Sequence, residues 1–438
     1  MTVRRWIRDA RHWKTGQRLD VGVQDGRIAA VEVSDGARSA RAGEAAEEEF
    51  DAAGATLAPG LVDLHVHLRE PGQSSKETIE TGTRAAAAGG FSAVACMPNT
   101  SPAVDNPAWV EWIRNRAAEV GRCRVHPIAA VTMGQRGEQL AELAALRDAG
   151  AVAFSDDGFS IASAETMRRA LEYARPLGLP IVCHEEDPTL KGRGHMNEGP
   201  VAARLGIRGI PWAAESIMVR RDCDLAELTG GRAHFAHLSC AASLAALRDG
   251  KARGLAVTGE TCPHYWMLTE EAVDTYDTAA KMNPPLRSER DRLAVIEAIA
   301  DGTVDCFATD HAPHTTEDKR QPFDLAPFGI VGLETAFGLT VTGLVLPGHL
   351  PLERAIELWT EAPRRVFGLP EVRIEPGFPA DLTLLEPEAE WSVDPERFLS
   401  KGRSTPFAGR RLKGRVRATW CAGELTYDAA AVTVEVGR

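Results

Sequence analysis

At 438 residues, the chain is long for one ordinary domain, but it suits an α/β barrel of about 250 residues with a smaller unit beside it. A formal net charge of −12, an isoelectric point near 5.6 and the lack of any long basic run argue against nucleic acid or an acidic membrane surface as partner. Eight cysteines without a Cys-x-x-Cys pair read as small buried hydrophobes in a reducing cytoplasm, and no stretch approaches a membrane span.

Residues 1 to about 57 carry short strand-like pieces, Arg18 to Val23 and Arg27 to Val33, then a charged, alanine-rich excursion from Arg38 to Glu49. From Leu61 the texture changes to apolar runs alternating with amphipathic segments, the pattern of a parallel α/β fold. In Val62 to His67, Val62, Leu64 and Val66 alternate with Asp63, His65 and His67, so both histidines project from one face of a strand. Arg69 follows on the histidine side, before the Pro71-Gly72 turn. Ser74 to Glu77 has the form of a capping box, predicting a helix that runs to Gly89-Gly90. Six further strands are predicted at Phe91 to Met97, Val125 to Val131, Ala151 to Ser155, Leu179 to Cys183, Ala233 to Leu238 and Leu255 to Thr258. The eighth is Val304 to Thr309. Helices are expected from Pro107 (with Trp109, Trp112 and Ile113 on one apolar stripe), over Glu138 to Asp148 and around Ala213 to Leu228.

Eight strand-then-helix units predict a (β/α)8 TIM barrel over residues 58–370. Short-strand texture returns in Gly377 to Leu385 and Arg410 to Tyr427. Residues 1–57 and 371–438 are each too small for a core, so they are expected to pair into one composite β-sandwich.

His65, His67, Asn99, Asp157, His184, His237 and Asp310 all fall at or just past the carboxyl ends of predicted strands, where barrel active sites assemble. Imidazole and carboxylate together suit a transition metal, and four histidines with two aspartates exceed what one tetrahedral zinc needs. One or two Zn2+ ions are expected, the second site being the weaker. A metal that lowers the pKa of bound water to roughly 7 gives a hydroxide nucleophile and polarises a carbonyl, which suits hydrolysis of an amide-like bond or its reversal.

His65-Val66-His67-Leu68-Arg69-Glu70-Pro71-Gly72, Met97-Pro98-Asn99-Thr100, Phe154 to Gly158, Lys281 to Arg287 and Ala308 to His314 resemble the bacterial class I dihydroorotases of the cyclic amidohydrolase superfamily. The resemblance extends into the tail through Pro376 to Leu385 and Phe407 to Arg410. It implies that His65, His67 and Asp310 hold one metal, His184 and His237 the other, with Asp157 between them. Related hydantoinases, allantoinases and the second dihydroorotase class use a carboxylated lysine as bridge; no lysine lies on strands three to five here. The resemblance also implies that Arg69, Asn99 and His314 hold a substrate carboxylate, that Asn283 and the Phe328-Gly329 backbone read a pyrimidine ring edge, and that Asp310 moves the proton. Dihydroorotate and N-carbamoyl-L-aspartate are then the substrates, with a homodimer and a complex with aspartate transcarbamoylase as possible assemblies. A hydantoinase or allantoinase, and a non-catalytic scaffold of the transcarbamoylase, are the competing readings.

Blander roles compete for several residues. Asp157 could cap the following helix, and Asp156 reads as a turn former. His234 lies out of phase with His237, while His264 and His311 lie near the mouth as potential support. Trp109 and Trp112 read as core, and Glu185-Glu186-Asp187 as an acidic loop. The segment 315–327 is long, polar at its start and aperiodic, as an active-site lid would be.

Overall fold

The computed structural model describes residues 5–34 and 48–431, so most of the Arg38 to Glu49 excursion lies outside the described residues. Eight parallel strands form the central barrel: β1 (Leu61–Val66), β2 (Phe91–Cys96), β3 (Arg124–Ala129), β4 (Ala153–Ser155), β5 (Ile181–Cys183), β6 (Ala233–Phe235), β7 (Val257–Thr261) and β8 (Cys306–Phe307). They pair in sequential order from β1 to β8. The ring is drawn shut just past the last strand, where Val66 bridges His311 and the His67 amide donates to the His311 carbonyl at 2.8 Å. Asp63 adds a polar clasp, accepting from the Thr309 amide and hydroxyl.

The predicted strands are all present, and several are shorter than the apolar runs that announced them. An apolar run marks burial, whereas ladder pairing stops where the chain turns out to build the mouth. The first helix differs more. It spans Ile79–Ala88 and is capped by Thr78 with Thr81, not by Ser74 with Glu77. Glu77 cannot reach back to Ser74, because it is fully buried and accepts hydrogen bonds from His311 and Ser400. On Pro107–Val120, Val110 and Ile113 are buried, and Trp109 packs partly against the core. Trp112 is exposed, edge-on to Trp109 with ring centroids 6.1 Å apart, so it is not core.

Both termini contribute to a second body, hydrogen-bonded as one mixed sheet of eight strands. Its centre is the antiparallel pairing of Thr56–Pro59 with Leu382–Ser392, which brings the two ends of the chain side by side. Ile7, Val21, Leu57, Leu384 and Ala418 share its apolar core. Thr56–Pro59 leads through Gly60 directly into β1, so this sheet anchors the strand that carries His65. A Cβ on Gly60 would lie 2.2 Å from the Ser92 hydroxyl, so only glycine lets the chain pass from sheet to barrel there.

Candidate metal centre

His65, His67, Asp157, His184, His237 and Asp310 converge at the carboxyl end of the barrel, and all are buried. His65 Nε2 stands 3.3 Å from Asp157 Oδ1 and 3.6 Å from Asp310 Oδ1. His67 Nε2 lies 3.2 Å from Asp310 Oδ1 and 3.6 Å from Asp157 Oδ2. His237 Nε2 and His184 Nδ1 approach Asp157 Oδ1 at 3.7 and 3.5 Å. Two donor triads result, His65 with His67 and Asp310, and His65 with Asp157 and His237; His184 stands beside the second, 3.1 Å from His237.

The residues fit a divalent transition ion on three counts. Ligand atoms about 2.1 Å from one tetrahedral ion stand roughly 3.4 Å from each other, the spacing seen here. His65 Nε2 and Asp157 Oδ1, which face each other across the cluster, are buried polar atoms without a hydrogen-bond partner among the described residues, an arrangement that is costly unless something else satisfies them. Finally, two tautomers are fixed. Glu260 Oε1 can only accept, so His65 Nδ1 donates to it at 3.1 Å and Nε2 is the nitrogen turned to Asp157 and Asp310. Asn99 Oδ1 does the same for His67 Nδ1 at 2.8 Å. Burial opposes charge on Asp157 and Asp310, but the surrounding imidazoles outweigh it and hold both below the usual carboxylate range.

Strain gathers at this mouth. Arg69, His237 and Asp310 have φ of +61°, +36° and +49°, a region that non-glycine residues rarely occupy unless their surroundings enforce it. Arg69 is buried, which brings its guanidinium down to about 10, still cationic at neutral pH. It donates to the Pro313 carbonyl, and among the described residues no carboxylate lies within 4.0 Å of it. His314 donates through Nε2 to the Phe328 carbonyl at 2.8 Å; burial, then the nearby Arg69, Lys76 and Lys319 charges, push it down to about 2, so it is neutral. A cavity of about 220 Å³ joins these groups to Asn283, Phe328 and Gly329. A larger cavity of about 460 Å³, lined by Glu334, Trp391, Arg397 and Tyr427, lies away from the histidines and gathers no comparable donor set.

Several placements differ from expectation. Asn99 commits both amide atoms inside the cluster, the second as a donor to Asp157 Oδ2 at 3.1 Å. Asn283 Nδ2 contacts His184 Nε2 and Glu186 Oε2, each at 3.2 Å, while its Oδ1 is buried and unpartnered. Asp157 caps no helix; the next one, Ala164–Ala174, is capped by Ser163. Asp156 accepts from the Val131 and Thr132 amides, tying the β3 and β4 ends together. Glu186 is no solvated loop charge, since it is buried against His184 and paired with Lys191. Sequence reasoning missed Glu260, which accepts from both His65 and His234. Its signal was strand phase: Thr258 and Glu260 share a face of β7, beside the His234 face of β6. His311 joins Glu77 to the Gly332 amide, and His264 is buried with Nε2 unpartnered.

Curated proteins resemble the chain along almost its whole length. It is 52% identical over 406 residues to a dihydroorotase of Pelotomaculum thermopropionicum, covering 93% of each chain. The chain belongs to the dihydroorotase family. A dihydroorotase of Syntrophotalea carbinolica is 51% identical, with 94% of this chain and 95% of that one covered. Family models agree: residues 54–243 match the dihydro-orotase-like model and 251–427 an amidohydrolase family model. The motif resemblance is therefore borne out, and the chain is a hydrolase of a metal-using family. Among solved structures, L-hydantoinase from Arthrobacter aurescens superposes with a TM-score of 0.86 at 24% identity, covering 97% of this chain and 96% of that one. At that identity the likeness speaks for the barrel fold alone. No helix among the described residues is long and apolar enough to cross a membrane.

Proposed function

We propose that the protein interconverts N-carbamoyl-L-aspartate and dihydroorotate in pyrimidine synthesis, with Zn2+ as its metal. His65, His67 and Asp310 would hold one ion and His184 and His237 a second, with Asp157 between them; the mixed nitrogen and oxygen donor set favours zinc. When bound, the metal supplies a Lewis acid and a water acidified enough to attack at neutral pH. In ring opening, Asp310 takes up a proton and delivers it to the leaving ring nitrogen; in ring closure it runs the same transfer backwards. Asn283 Oδ1 accepts from a ring N–H, and the Phe328-Gly329 backbone packs along the ring edge. His314 lines the same cavity, with its Nδ1 3.8 Å from Asp318 Oδ2.

The observation that carries this reading is Arg69, a buried cation beside the histidine cluster with no carboxylate in ion-pair range among the described residues. A guanidinium so placed suits a substrate carboxylate, which it binds through a planar fork. Asn99 assists with its remaining N–H. Hydantoins and allantoin offer no such carboxylate. Arg69→Met is expected to raise KM for dihydroorotate roughly 10- to 100-fold, the worth of a charged hydrogen bond, with metal content unchanged. An unaltered KM together with ready hydrolysis of hydantoins would replace the reading with a hydantoinase. A purified protein without bound transition metal or chelator-sensitive turnover would favour the non-catalytic scaffold.

The reading extends to a division of the chain at about residues 57 and 371, a homodimer, a cytoplasmic setting and association with aspartate transcarbamoylase. All eight cysteines are free, consistent with a reducing compartment. Sedimentation with and without the transcarbamoylase tests the assemblies.

A further inference from the structure

Phe328 and Gly329 line the cavity, and they end a segment, Phe323 to Gly329, whose backbone is wound around two buried lysines. Lys281 Nζ donates to the carbonyls of Phe323 at 2.5 Å, Ala326 at 2.6 Å and Asp324 at 3.4 Å. Lys319 Nζ donates to the carbonyls of Gly329 at 2.8 Å, Pro327 at 3.0 Å and Lys281 at 3.3 Å. Each ammonium has three N–H groups, and each finds three carbonyls. Among the described residues neither lysine has a carboxylate within 4.0 Å, although both are buried. Burying an ammonium without a counter-ion is costly and is tolerated only where its donors are all met. Five of these six carbonyls belong to the 323–329 loop; the sixth is that of Lys281, whose Nζ also lies 3.4 Å from His195 Nδ1.

The same segment is braced from its other sides. The Gly329 amide donates to the Lys281 carbonyl at 3.0 Å, and Lys319 donates to the carbonyls of both residues, so 281, 319 and 329 are joined in one cluster. Gly329 has φ +128°, and a Cβ there would lie 2.6 Å from the Ala312 carbonyl oxygen, so the segment passes this point by one route only. The Phe328 ring has Lys281 Nζ 4.7 Å from its centroid and His195 stacked 6.5 Å away. The segment before it is also fixed, since Thr316–Lys319 forms one helical turn with a Thr315–Asp318 capping box. Burial, then the neighbouring Lys281 charge, lowers Lys319 to about 7, and burial lowers Lys281 to about 8.

We propose that Lys319 and Lys281 are positioning residues that fix Phe323–Gly329 as a static wall of the substrate site, so that this loop serves by its shape and not as an opening lid. The proposal rests on the dihydroorotase reading for the identity of the ligand that the wall contacts. Neither lysine touches the metal donors, and their effect reaches the substrate only through Phe328 and Gly329. Losing the pin should weaken substrate binding while sparing the metal and the proton transfer.

The test uses the full-length metal-loaded enzyme. In the wild type, hydrogen exchange of peptides spanning 323–329 is expected to be as slow as that of the barrel strands. In Lys319→Met, KM for dihydroorotate should rise about tenfold or more with kcat within about threefold. Metal content should stay at the wild-type level, and trypsin should cleave after Arg320 faster. Lys319→Gln, one carbon shorter with two N–H donors, should fall between the two and serves in place of the methionine variant if that one does not fold. Wild-type KM and cleavage rate in both variants would overturn the proposal, as would free-amide exchange of 323–329 in the wild type. So would loss of kcat and metal together at constant KM. If the wild type does not turn over dihydroorotate, the functional reading fails, while exchange and proteolysis still decide whether the lysines pin the loop.

Discussion

The two sides of the cleft are built on opposite principles. On the side proposed for the metal, short side chains stand on strand ends, and two of the four imidazoles are aimed by a partner: Glu260 behind His65 and Asn99 behind His67. On the side proposed for the substrate, the main chain of Phe328 and Gly329, in an irregular segment held by long side chains, stands with the side chains of Arg69, Asn283 and His314. A strand end needs little help to place a ligand, because pleat and register already fix the direction. An irregular loop has no such frame, and here two ammonium groups provide one. Rigidity thus comes from the sheet on one side and from satisfied buried donors on the other.

The largest test of the metal side is Asp310→Asn. It keeps the shape but removes the proton carrier, and a loss of about 10²- to 10⁴-fold in turnover is expected in both directions. Asp157→Ala should differ in kind, with metal content and activity falling together; if Asp157→Ala kept its metal, the two aspartates would not be divided as proposed. Next is Glu260→Gln. With its carboxylate gone, the His65 tautomer is no longer enforced, and metal affinity should fall about 10- to 100-fold in a competition titration with a chelator. Unchanged affinity would mean that the strand alone aims His65.

The smallest effect concerns Glu77, which ties the loop after β8 to the segment after Phe398. Burial pushes its pKa up, but the hydrogen bonds from His311, Ser400 and Thr81 outweigh this and leave it below the ordinary value. A carboxyl depressed in the folded state contributes stability above its unfolded pKa and loses it as pH falls through the folded one. Glu77→Gln should therefore lower stability at neutral pH by about 1–3 kcal/mol and flatten its loss below about pH 4.5, as read from Tm against pH. Parallel curves for the two proteins would show that Glu77 does not couple the two elements through its charge.

This division also explains what could be read in advance. The barrel and the convergence of His65, His67, His237 and Asp310 at its mouth were legible because periodicity reports which face a strand residue takes, and these residues sit in runs with clear phase. Glu260 lay in plain view at the end of β7, but its partner across the barrel is 195 residues away, a pairing that no local pattern encodes. The first helix was misplaced because Ser74 to Glu77 satisfies a capping pattern whose acidic member is drawn into the interior by His311 and Ser400. The lid expected over 315–327 is set against a pinned loop by the exchange and proteolysis measurements on the lysine variants. A polar, aperiodic stretch does not disclose that Lys281 and Lys319 point inward, since lysine is almost always exposed.

The central claim is that this cleft is a metal-dependent site for a carboxylate-bearing cyclic amide, and one assay addresses it most directly. Purified protein is stripped with a chelator, reloaded with Zn2+, and assayed with N-carbamoyl-L-aspartate and with dihydroorotate. Interconversion in both directions that is lost on stripping and restored by zinc is the predicted result. Absence of turnover in the fully loaded protein, or turnover indifferent to the metal, would contradict it.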